Sequence, residues 1–163
     1  MPAIRDATEA GPPRTLEITN HAIAHTTADW SSAMTTMEAR LAWVNQRRRL
    51  GFPVMVAAED GAVIGFTSYG EFRPREGPVE HSVYVREDAQ GRAVGRILLT
   101  ALIAHAEKRG AHVMIGAIEA RYAASVALHK WAVFAETGLQ REVGWKFNRR
   151  PDPVFMQKIL AGS

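Results

Sequence analysis

The chain has 163 residues, the size of one ordinary domain, and a chain of this length buries enough surface to fold without a cross-link. It contains no cysteine, which excludes disulfides, thiolate metal sites and a cysteine nucleophile and fits a reducing cytosol. Its net charge of +3 suits an anionic ligand without singling out nucleic acid. No apolar run approaches the roughly 20 residues that span a bilayer, and the N-terminal segment lacks the apolar stretch of a signal peptide. We therefore expect a soluble, cytoplasmic protein with a single domain over residues 1–163 and no membrane partner.

The N-terminal part of the sequence predicts a short strand followed by two helices. Residues 3–7 form the strand, and Pro12 opens a helix that runs to about His25, since proline is tolerated in a first helical turn. Thr35 and Glu38 have the spacing of a capping box for the second helix. The residues at helical spacing that define its face are Met37, Leu41, Val44 and Arg48. Gly51 is predicted to end the helix.

Three strands are predicted next, and a tight hairpin joins the first two. Asp60 and Gly61 are a strong turn signal between an apolar strand at 52–57 and a returning strand at 62–72. The segment 79–85 alternates with a period of two residues. That alternation places three side chains on one face of its strand: Glu80, Ser82 and Tyr84.

The second half of the sequence alternates helices and strands. A helix that follows residues 90–96 is predicted to end at Gly110, which stands where a C′ residue belongs. Its core face consists of Val94, Ile97, Leu98, Ala101, Leu102 and Ala106. The remaining elements are a strand at 112–118, a helix at 123–134, an optional strand around 135–144 and a closing strand at 153–160. Antiparallel pairing followed by a parallel βαβ unit favours an α/β or α+β fold with a mixed sheet.

The segment "QGRAVGR" at 90–96 combines two glycines and two arginines with a helix start. Backbone N–H groups and the helix dipole meet there, the glycines let a bulky anion approach, and the arginines add positive charge. The segment is a candidate pyrophosphate site, with a plain strand-to-helix turn as the alternative. A P-loop is excluded because no Gly-Lys-Ser/Thr ending is present. A Rossmann fingerprint is excluded because the acidic residue that follows, Glu107, is too near and lies inside the helix.

Several segments of this sequence resemble the GNAT superfamily of N-acetyltransferases, namely "VEHSVYV", "DAQGRAVGRILLTALI", "HVMIGAIEA" and "AASVALH". The likeness to the phosphinothricin and methionine sulfoximine acetyltransferase family is closer and extends through "EITNHAIAHTTADW", "GFPVMVAAEDGAVIGFTSYGEFRP" and "VGWKF". This resemblance implies a twisted mixed sheet with helices on both faces, splayed between the fourth and fifth strands. It also implies that acetyl-CoA lies in the splay and gives its acetyl group directly to an amine in a ternary complex, without a metal.

The resemblance also implies which residues hold acetyl-CoA. The backbone of Val83, Tyr84 and Val85 would follow the pantetheine arm, and the loop would hold the pyrophosphate. The loop residues concerned are Gln90, Gly91, Arg92, Ala93, Val94, Gly95 and Arg96. Ala93 replaces a glycine of the family at little cost if its φ is negative, since only a positive φ demands glycine. Tyr122 stands where the family has an asparagine near the CoA arm.

Acetyl transfer to an amine requires a base for the amine, donors for the oxyanion and a proton for the departing thiolate. The resemblance assigns the base to Glu80, acting through water, and the alternative is a structural ion pair with His81 or an arginine. His129 stands where many superfamily members carry the tyrosine that protonates the thiolate, and an imidazole can do this near neutral pH. Its alternative is a helix-face histidine bonded to the backbone. Tyr84 is a competing acid, and the N–H of Val83 or a neighbour is the expected oxyanion donor.

Three cations are candidates for binding the acceptor, because a guanidinium binds a carboxylate with two hydrogen bonds and so suits an amino acid. They are Arg73, Arg75 and Lys146, and the alternative for each is a solvated surface charge. The arginines at 47–49 stand near a helix C-terminus, where they complement the dipole, and the four tryptophans are scattered rather than arranged as a base-stacking platform. We therefore expect no nucleic-acid partner.

The chain departs from the family at several positions that face the cofactor or the acceptor. The segment 73–79 is shorter than in the family, by about three residues as judged from the resemblance alone. Val133 replaces a glycine that should end a helix, and a β-branched residue resists a positive φ. The family's Gly-Arg-Trp becomes Asn-Arg-Arg at 148–150. These changes allow a divergent acceptor or a weakened enzyme.

The sequence therefore predicts an acetyl-CoA-dependent N-acetyltransferase that acts on a small amine, such as an amino acid or an analogue. The alternative is a non-catalytic acyl-CoA-binding regulatory module on the same fold. A homodimer is expected from the apolar-rich composition and from the pairing of similar family members.

Overall fold

The computed structural model describes residues 1–7, 11–73 and 77–161. In these ranges, seven strands and four α-helices follow one another in the predicted order, and the optional strand is present as β6. The strands are β1 (Ala3–Asp6), β2 (Val54–Glu59), β3 (Ala62–Glu71), β4 (Val79–Val85), β5 (Val113–Glu119), β6 (Ala135–Leu139) and β7 (Pro153–Ile159). The helices are α1 (Gly11–His25), α2 (Met37–Arg49), α3 (Val94–Lys108) and α4 (Ala123–Trp131), with a short 3₁₀ turn at Glu87–Ala89.

The strands form one mixed sheet in the order β1-β2-β3-β4-β5-β7-β6. All neighbouring pairs are antiparallel except β4 and β5, which are parallel. Those two strands pair only at their beginnings, where Val79 stands opposite Met114 and Glu80 opposite Ile115. Beyond this point they diverge. The predicted mixed α/β fold, splayed between the fourth and fifth strands, is confirmed.

Helices cover both faces of the sheet because successive strand residues point to opposite sides. On one face, Leu99 and Leu102 of α3 pack with Met55 and Met114 of the strands. On the other face, Ile18 of α1 and Trp43 of α2 pack with other residues of the same sheet. Those strand residues are Val54, Val56, Val63, Phe66 and Tyr84. Each face of β4 therefore carries side chains into a different layer.

The hairpin between β2 and β3 forms as its turn residues predict. Asp60 and Gly61 both have positive φ, at 50° and 79°, which is the geometry of a two-residue turn that matches the twist of the strands. This turn fixes the register of β3, and β3 in turn pairs along the whole of β4.

The predicted stop of α2 at Gly51 and the burial of Val44 are confirmed, but the rest of its predicted face and its N-cap are wrong. The N-cap is Thr36, whose side chain accepts from the N–H of Ala39, so the helix begins one residue later than the expected capping box at Thr35. Met37 and Leu41 are 39% and 43% exposed, and the buried residues of the helix are Arg40 and Val44. Arg40 can occupy a buried position because its guanidinium lies 4.7 Å from the Trp43 ring centroid and donates to the Thr19 hydroxyl.

Helix α4 is shorter than predicted and ends at Trp131, with Ala132 as its C-cap. The following residue, Val133, has φ of 64°, so a β-branched side chain stands where the left-handed conformation favours glycine. This agrees with the strain expected at that position. In the described parts of the chain, no helix has the length and apolar character needed to cross a membrane.

Candidate functional site

A large cleft opens where β4 and β5 separate, with a volume of about 1420 Å³. Its wall includes Tyr84, which packs in the layer of α1 and α2, and His81, which contacts α4 on the opposite face of β4. The cleft therefore reaches both sides of the sheet through the gap. Such a passage lets a long ligand and a second, smaller ligand meet at the centre.

The N-terminus of α3 forms one end of this cleft. The helix begins at Val94, its N-cap residue Ala93 makes no side-chain cap hydrogen bond, and the first-turn N–H groups of any helix lack intrahelical partners. Gly91 has φ of 75°, and a Cβ built on it meets no atom within 4 Å, so the approach to the backbone is open. The predicted loop residues that line the cleft are Gln90, Gly91, Ala93, Val94, Gly95 and Arg96. The backbone here suits a phosphate group.

Ala93 does not meet the condition under which its methyl group is harmless. Its φ is 63°, in the left-handed region, where an L-residue other than glycine costs roughly 1–2 kcal/mol. The condition fails because the strand-to-helix turn contains two left-handed residues, Gly91 and Ala93. The strained residue lies at the mouth of the cleft, where backbone strain is common in functional loops.

The two arginines of the loop have different surroundings. Arg96 lines the cleft, and its guanidinium carbon lies 4.9 Å from the centroid of the exposed Trp131 ring. Arg92 instead forms an ion pair with Glu59 at the end of β2, and it does not line the cleft. Arg96 is thus the better placed of the two for an anion in the cleft.

The cleft-facing part of β4 contains all three predicted cofactor residues of that strand, Val83, Tyr84 and Val85. The Tyr84 hydroxyl donates to Asp29 at 3.1 Å, and its ring stacks on Phe66 with centroids 5.0 Å apart. Burial raises the pKa of Tyr84, and the Asp29 carboxylate raises it further, so this phenol is a poor proton donor. Tyr122, at the N-terminus of α4, also lines the cleft.

Glu80 lies on the strand position next to the cleft wall and points toward the layer of α2. It stands opposite Gly70 in the register of β3 and β4, and the missing side chain of Gly70 makes room for the Arg47 guanidinium. Burial raises the pKa of Glu80, and the charge of Arg47 partly opposes this rise. The structure thus brings Glu80 near an arginine, as the structural alternative requires, and also gives it the raised pKa that suits a base. Glu80 itself does not line the cleft, whereas its neighbours His81 and Ser82 do.

His129 is 4% exposed and contacts a second histidine across the cleft wall. Its Nε2 lies 2.8 Å from Nε2 of His81, which is 8% exposed. The two Nδ1 atoms contact backbone carbonyls, that of Ser125 at 2.7 Å from His129 and that of Ile115 at 2.8 Å from His81. Burial lowers the pKa of both imidazoles, and that of His81 falls to about 3.

Of the candidate acceptor-binding cations that the structure describes, Arg73 and Lys146, neither lines the cleft. Arg73 is exposed and lies beside the Phe72 ring, at 5.7 Å, and Arg75 falls outside the described residues. Lys146 is buried, and its ammonium donates to the backbone carbonyl of Asp29, which occupies it. Burial lowers the pKa of Lys146.

Two carboxylates in the cleft wall were missed from the sequence. Glu119, at the end of β5, is 3% exposed, accepts from the Thr27 hydroxyl at 3.3 Å and lies 3.4 Å from Arg149. Asp29 accepts from Tyr84, as described above. The polar end of the apolar strand could have identified Glu119, because side chains at the carboxyl ends of strands face the crevice in open sheets. Asp29 lies in an irregular loop, and nothing in its spacing marks it. No group of three or more His, Asp or Glu residues in the described ranges is placed to hold a metal ion.

Comparisons with known proteins identify relatives over almost the whole chain. The profile of the Acetyltransferase (GNAT) family matches residues 16–132. An L-methionine sulfoximine/L-methionine sulfone acetyltransferase of Pseudomonas aeruginosa is 46% identical over 162 residues, covering 97% of this chain and 94% of that protein. An L-amino acid N-acyltransferase of Escherichia coli is 42% identical over 161 residues, covering 97% and 94%. A phosphinothricin N-acetyltransferase of Alcaligenes faecalis is 38% identical over 130 residues, covering 77% and 64%.

A solved structure gives the same result for the fold. The putative acetyltransferase yncA of Salmonella typhimurium, determined with its cofactor acetyl-CoA, superposes with a TM-score of 0.96. It is 42% identical, and the alignment covers 100% of this chain and 96% of that one. These similarities confirm the resemblance from which the sequence was interpreted.

Proposed function

Because this chain belongs to the acetyltransferase (GNAT) family, we propose that it transfers an acetyl group from acetyl-CoA to the amine of a small amino-acid-like acceptor. The observation that carries this proposal is the cleft between β4 and β5, which joins the uncapped N-terminus of α3 to the opposite side of the sheet. Close relatives that are N-acetyltransferases favour catalysis over a non-catalytic acyl-CoA-binding module.

The residues of the cleft fit a CoA thioester. Acetyl-CoA supplies an activated acetyl group and a thiolate leaving group. The N–H groups of residues 91–96 would hold its pyrophosphate, with Arg96 as a flanking cation. The backbone of Val83 and Val85 would hold the pantetheine arm along β4. These two strand residues have free edges on the cleft side because β5 has already diverged from β4.

Glu80 is proposed to be the general base. The acceptor amine is protonated at neutral pH and must lose a proton before it can attack the thioester. A carboxylate with a raised pKa takes up a proton more readily than a solvated one, and half-burial beside α2 produces such a rise at Glu80. Since Glu80 lies next to the cleft wall and not in it, a water molecule must relay the proton.

His129 is proposed to donate the proton that the departing thiolate accepts. It lines the cleft from α4, and its ring is held between two polar contacts. Tyr84, the competing acid, binds the Asp29 carboxylate and has a raised pKa, which favours His129.

The acceptor class follows from the relatives. Methionine sulfoximine and phosphinothricin are amino acids, so the acetylated group in a similar substrate is an α-amine beside a carboxylate. A cation should therefore face the acceptor. Arg75 and Arg73, which does not line the cleft, remain candidates from the sequence, because the ammonium of Lys146 is already bound to Asp29.

The direct test is a free-thiol release assay with acetyl-CoA over a panel of amines. The panel includes L-methionine sulfoximine, L-methionine sulfone, phosphinothricin and the common amino acids. We expect thiol release that depends on the amine and an acetylated product by mass spectrometry. Tight acetyl-CoA binding without turnover on any amine would instead support the non-catalytic module.

Three further properties are inferred with this function. The whole chain, residues 1–163, forms one acetyltransferase domain, as its single sheet supports. The chain pairs as a homodimer, which the exposed side chains of Leu139, Val143, Trp145 and Phe147 favour. The absence of cysteine is compatible with a cytoplasmic location. Cell fractionation and analytical ultracentrifugation test the last two.

A further inference from the structure

Two buried histidines meet in the wall of the cleft, and their contacts restrict how many protons they hold. His81 comes from β4 and His129 from α4, and both line the cleft. Three short polar contacts connect Ile115, His81, His129 and Ser125 in a row, at 2.8, 2.8 and 2.7 Å. The outer two are to backbone carbonyls, and the middle one joins the two Nε2 atoms.

A carbonyl oxygen only accepts hydrogen bonds, so each Nδ1 atom must carry a proton. With both Nδ1 atoms protonated, a neutral imidazole has a bare lone pair on Nε2. Two neutral rings would then place two lone pairs 2.8 Å apart in a buried site, and two fully protonated rings would place two N–H groups there. One shared proton is the arrangement that satisfies all three contacts.

We propose that His81 and His129 act as one unit that holds a single proton between their Nε2 atoms and delivers it to the departing thiolate. The proton count stands on the contacts alone, whereas the delivery step rests on the proposed function. His129 is the proton donor, and His81 is a positioning residue that keeps the shared proton at the cleft wall.

The surroundings of the pair exclude a second proton. The groups that face it are the Ile115 carbonyl from β5, the Ser125 carbonyl from α4 and the ring of Phe134, whose centroid lies 5.4 Å from His81 and 5.3 Å from His129. Within the described residues, the ionisable group that acts on the pKa of His81 is His129 itself. Burial lowers the pKa of both rings, and the charge of His129 helps to keep that of His81 near 3, so the pair does not become doubly charged near neutral pH. The first proton is held against the same burial by the contact between the two Nε2 atoms.

Gly116 provides the space in which the rings meet. A Cβ on this β5 residue would lie 2.7 Å from Cε1 of His81 and 3.4 Å from Nε2 of His129. The first distance is too short for two carbon atoms, so a side chain here would displace the His81 ring. The arrangement therefore depends on three elements that come together only in the folded chain.

Acetyl transfer conserves the protons and the electron pairs of the reacting groups. The acceptor ammonium loses one proton through Glu80 to solvent, and the neutral nitrogen forms a bond to the thioester carbonyl carbon. The C–S bond breaks with its electron pair on sulfur, and the shared proton moves from the histidine pair to that sulfur, giving the CoA thiol. The second proton leaves the new amide nitrogen and restores the pair through solvent.

The proton count is tested by ¹⁵N NMR of the histidine rings in the ligand-free chain, between about pH 5 and 8, the range in which imidazoles titrate. We expect both Nδ1 atoms to stay protonated, and the two Nε2 signals to shift together in one step as a single proton is lost. Two separate midpoints for His81 and His129, or an unprotonated Nδ1 in either ring throughout, would overturn the proposal.

His81→Gln separates a shared proton from a merely structural contact. The glutamine amide can donate to Nε2 of His129, so His129 no longer needs a second proton. We expect the joint titration step to disappear, kcat to fall by roughly 10²-fold or more, and acetyl-CoA affinity to stay unchanged. A melting curve checks folding, and His112→Gln, at an exposed residue before β5, is the matched control.

The outcomes separate this inference from the proposed function. A joint titration step in a chain that acetylates no amine would leave the proton pair standing and refute the proposed function. Normal acetyl transfer with no joint step, or a His81→Gln variant with the parental kcat and pH profile, would refute the pair and leave the function intact.

Discussion

Single residues in and beside the cleft have protonation equilibria that differ from those in solvent. Glu80 is the clearest case among the carboxylates. It is half-buried between β4 and α2, and burial raises its pKa against the opposing charge of Arg47. A raised pKa means that the folded chain binds this proton more tightly than the unfolded chain does. Ionisation of Glu80 therefore lowers the free energy of unfolding as the pH rises through the folded pKa.

The first prediction concerns Glu80→Gln and follows from the proposed role of Glu80 as general base. The variant should lose roughly 10²–10⁴-fold in kcat/KM, because general-base assistance is removed. The loss should shrink as the pH rises, since more acceptor amine is then already neutral. The measurement is kcat/KM against pH for the variant and the parent, with the best acceptor found.

Stability is the control for this variant. Glutamine cannot ionise, so above the pKa of Glu80 the variant should be at least as stable as the parent in a melting experiment. Near-parental activity at neutral pH would mean that Glu80 is structural, paired with Arg47, and that the base lies elsewhere.

The sequence and the structure agree on single residues to different degrees. Glu80 and His129 could be singled out as candidates because each stands in a contiguous motif. The partnership of His129 with His81 could not, because these residues are 48 positions apart and meet only when α4 packs on β4. The φ of Ala93 was equally out of reach, since a local pattern does not report the turn that the strand and the helix impose together.

Helices and strands set the geometry in which these residues act, and the start of α3 leaves the least space for a side chain. Gly95 lies in its first turn and lines the cleft, and a Cβ there would lie 3.2 Å from Cδ2 of Leu128 on α4. The missing side chain thus serves two purposes, close packing with α4 and an open path to the backbone N–H groups.

The second prediction follows for Gly95→Leu. A bulky side chain should block the approach of the pyrophosphate and weaken acetyl-CoA binding by at least about tenfold, or 1.4 kcal/mol. Calorimetric titration measures the affinity, and Ala104→Leu, at an exposed position of the same helix, controls for the added leucine. Unchanged affinity in Gly95→Leu would place the pyrophosphate somewhere other than the N-terminus of α3.

The third prediction concerns the end of α4. Val133 is 75% exposed and has φ of 64°, so Val133→Gly relieves left-handed strain and loses little packing. The relief of roughly 1–2 kcal/mol exceeds the entropic cost of glycine, which leaves a net gain of about 0.5–1 kcal/mol. A Tm higher by about 2 °C is expected. Val133→Ala keeps its Cβ and should gain less, and equal gains in both variants would contradict the explanation by φ.

The elements also show where hydrophobic periodicity misleads. The pattern that placed Met37 and Leu41 in the core of α2 ignored Arg40, whose long side chain packs against Trp43 and Phe66. A charged residue with an apolar stem can occupy a core position when its head finds aromatic rings and a hydroxyl. By contrast, most of the predicted face of α3 is buried, because aliphatic side chains alone define it. The buried residues include Val94, Leu98, Leu102 and Ala106, whereas Ile97 and Ala101 are only partly buried and Leu99 was missed.

At the scale of the whole molecule, the order of elements and the splay of the sheet could be predicted from the sequence, and the assembly could not. A strong hairpin turn, one alternating strand and one amphipathic helix fix the centre of the fold. The surface proposed for pairing lacks such a pattern. It must be inferred from exposure, and β6 is informative because it is an edge strand whose five residues are all exposed.

The last prediction concerns pairing through this edge. The segment 139–147 continues from β6 and exposes four large apolar side chains, and both a bare strand edge and an apolar patch invite a second copy. Leu139→Arg should place a charge in the proposed interface and shift the proposed dimer toward monomer at tens of micromolar, a concentration at which obligate dimers stay assembled. Sedimentation velocity measures the distribution.

Leu50→Arg is the matched control, because Leu50 is 51% exposed and Leu139 is 55% exposed, and Leu50 lies at the end of α2 rather than beside β6. The control should remain dimeric. A monomeric parent would refute the dimer itself, whereas dissociation by both substitutions would show that added positive charge, and not the position of Leu139, is responsible. Dimers that survive Leu139→Arg would move the interface to another face. Only loss of pairing in Leu139→Arg alone places the second copy against the edge at β6, where it would cover apolar side chains that a monomer leaves in water.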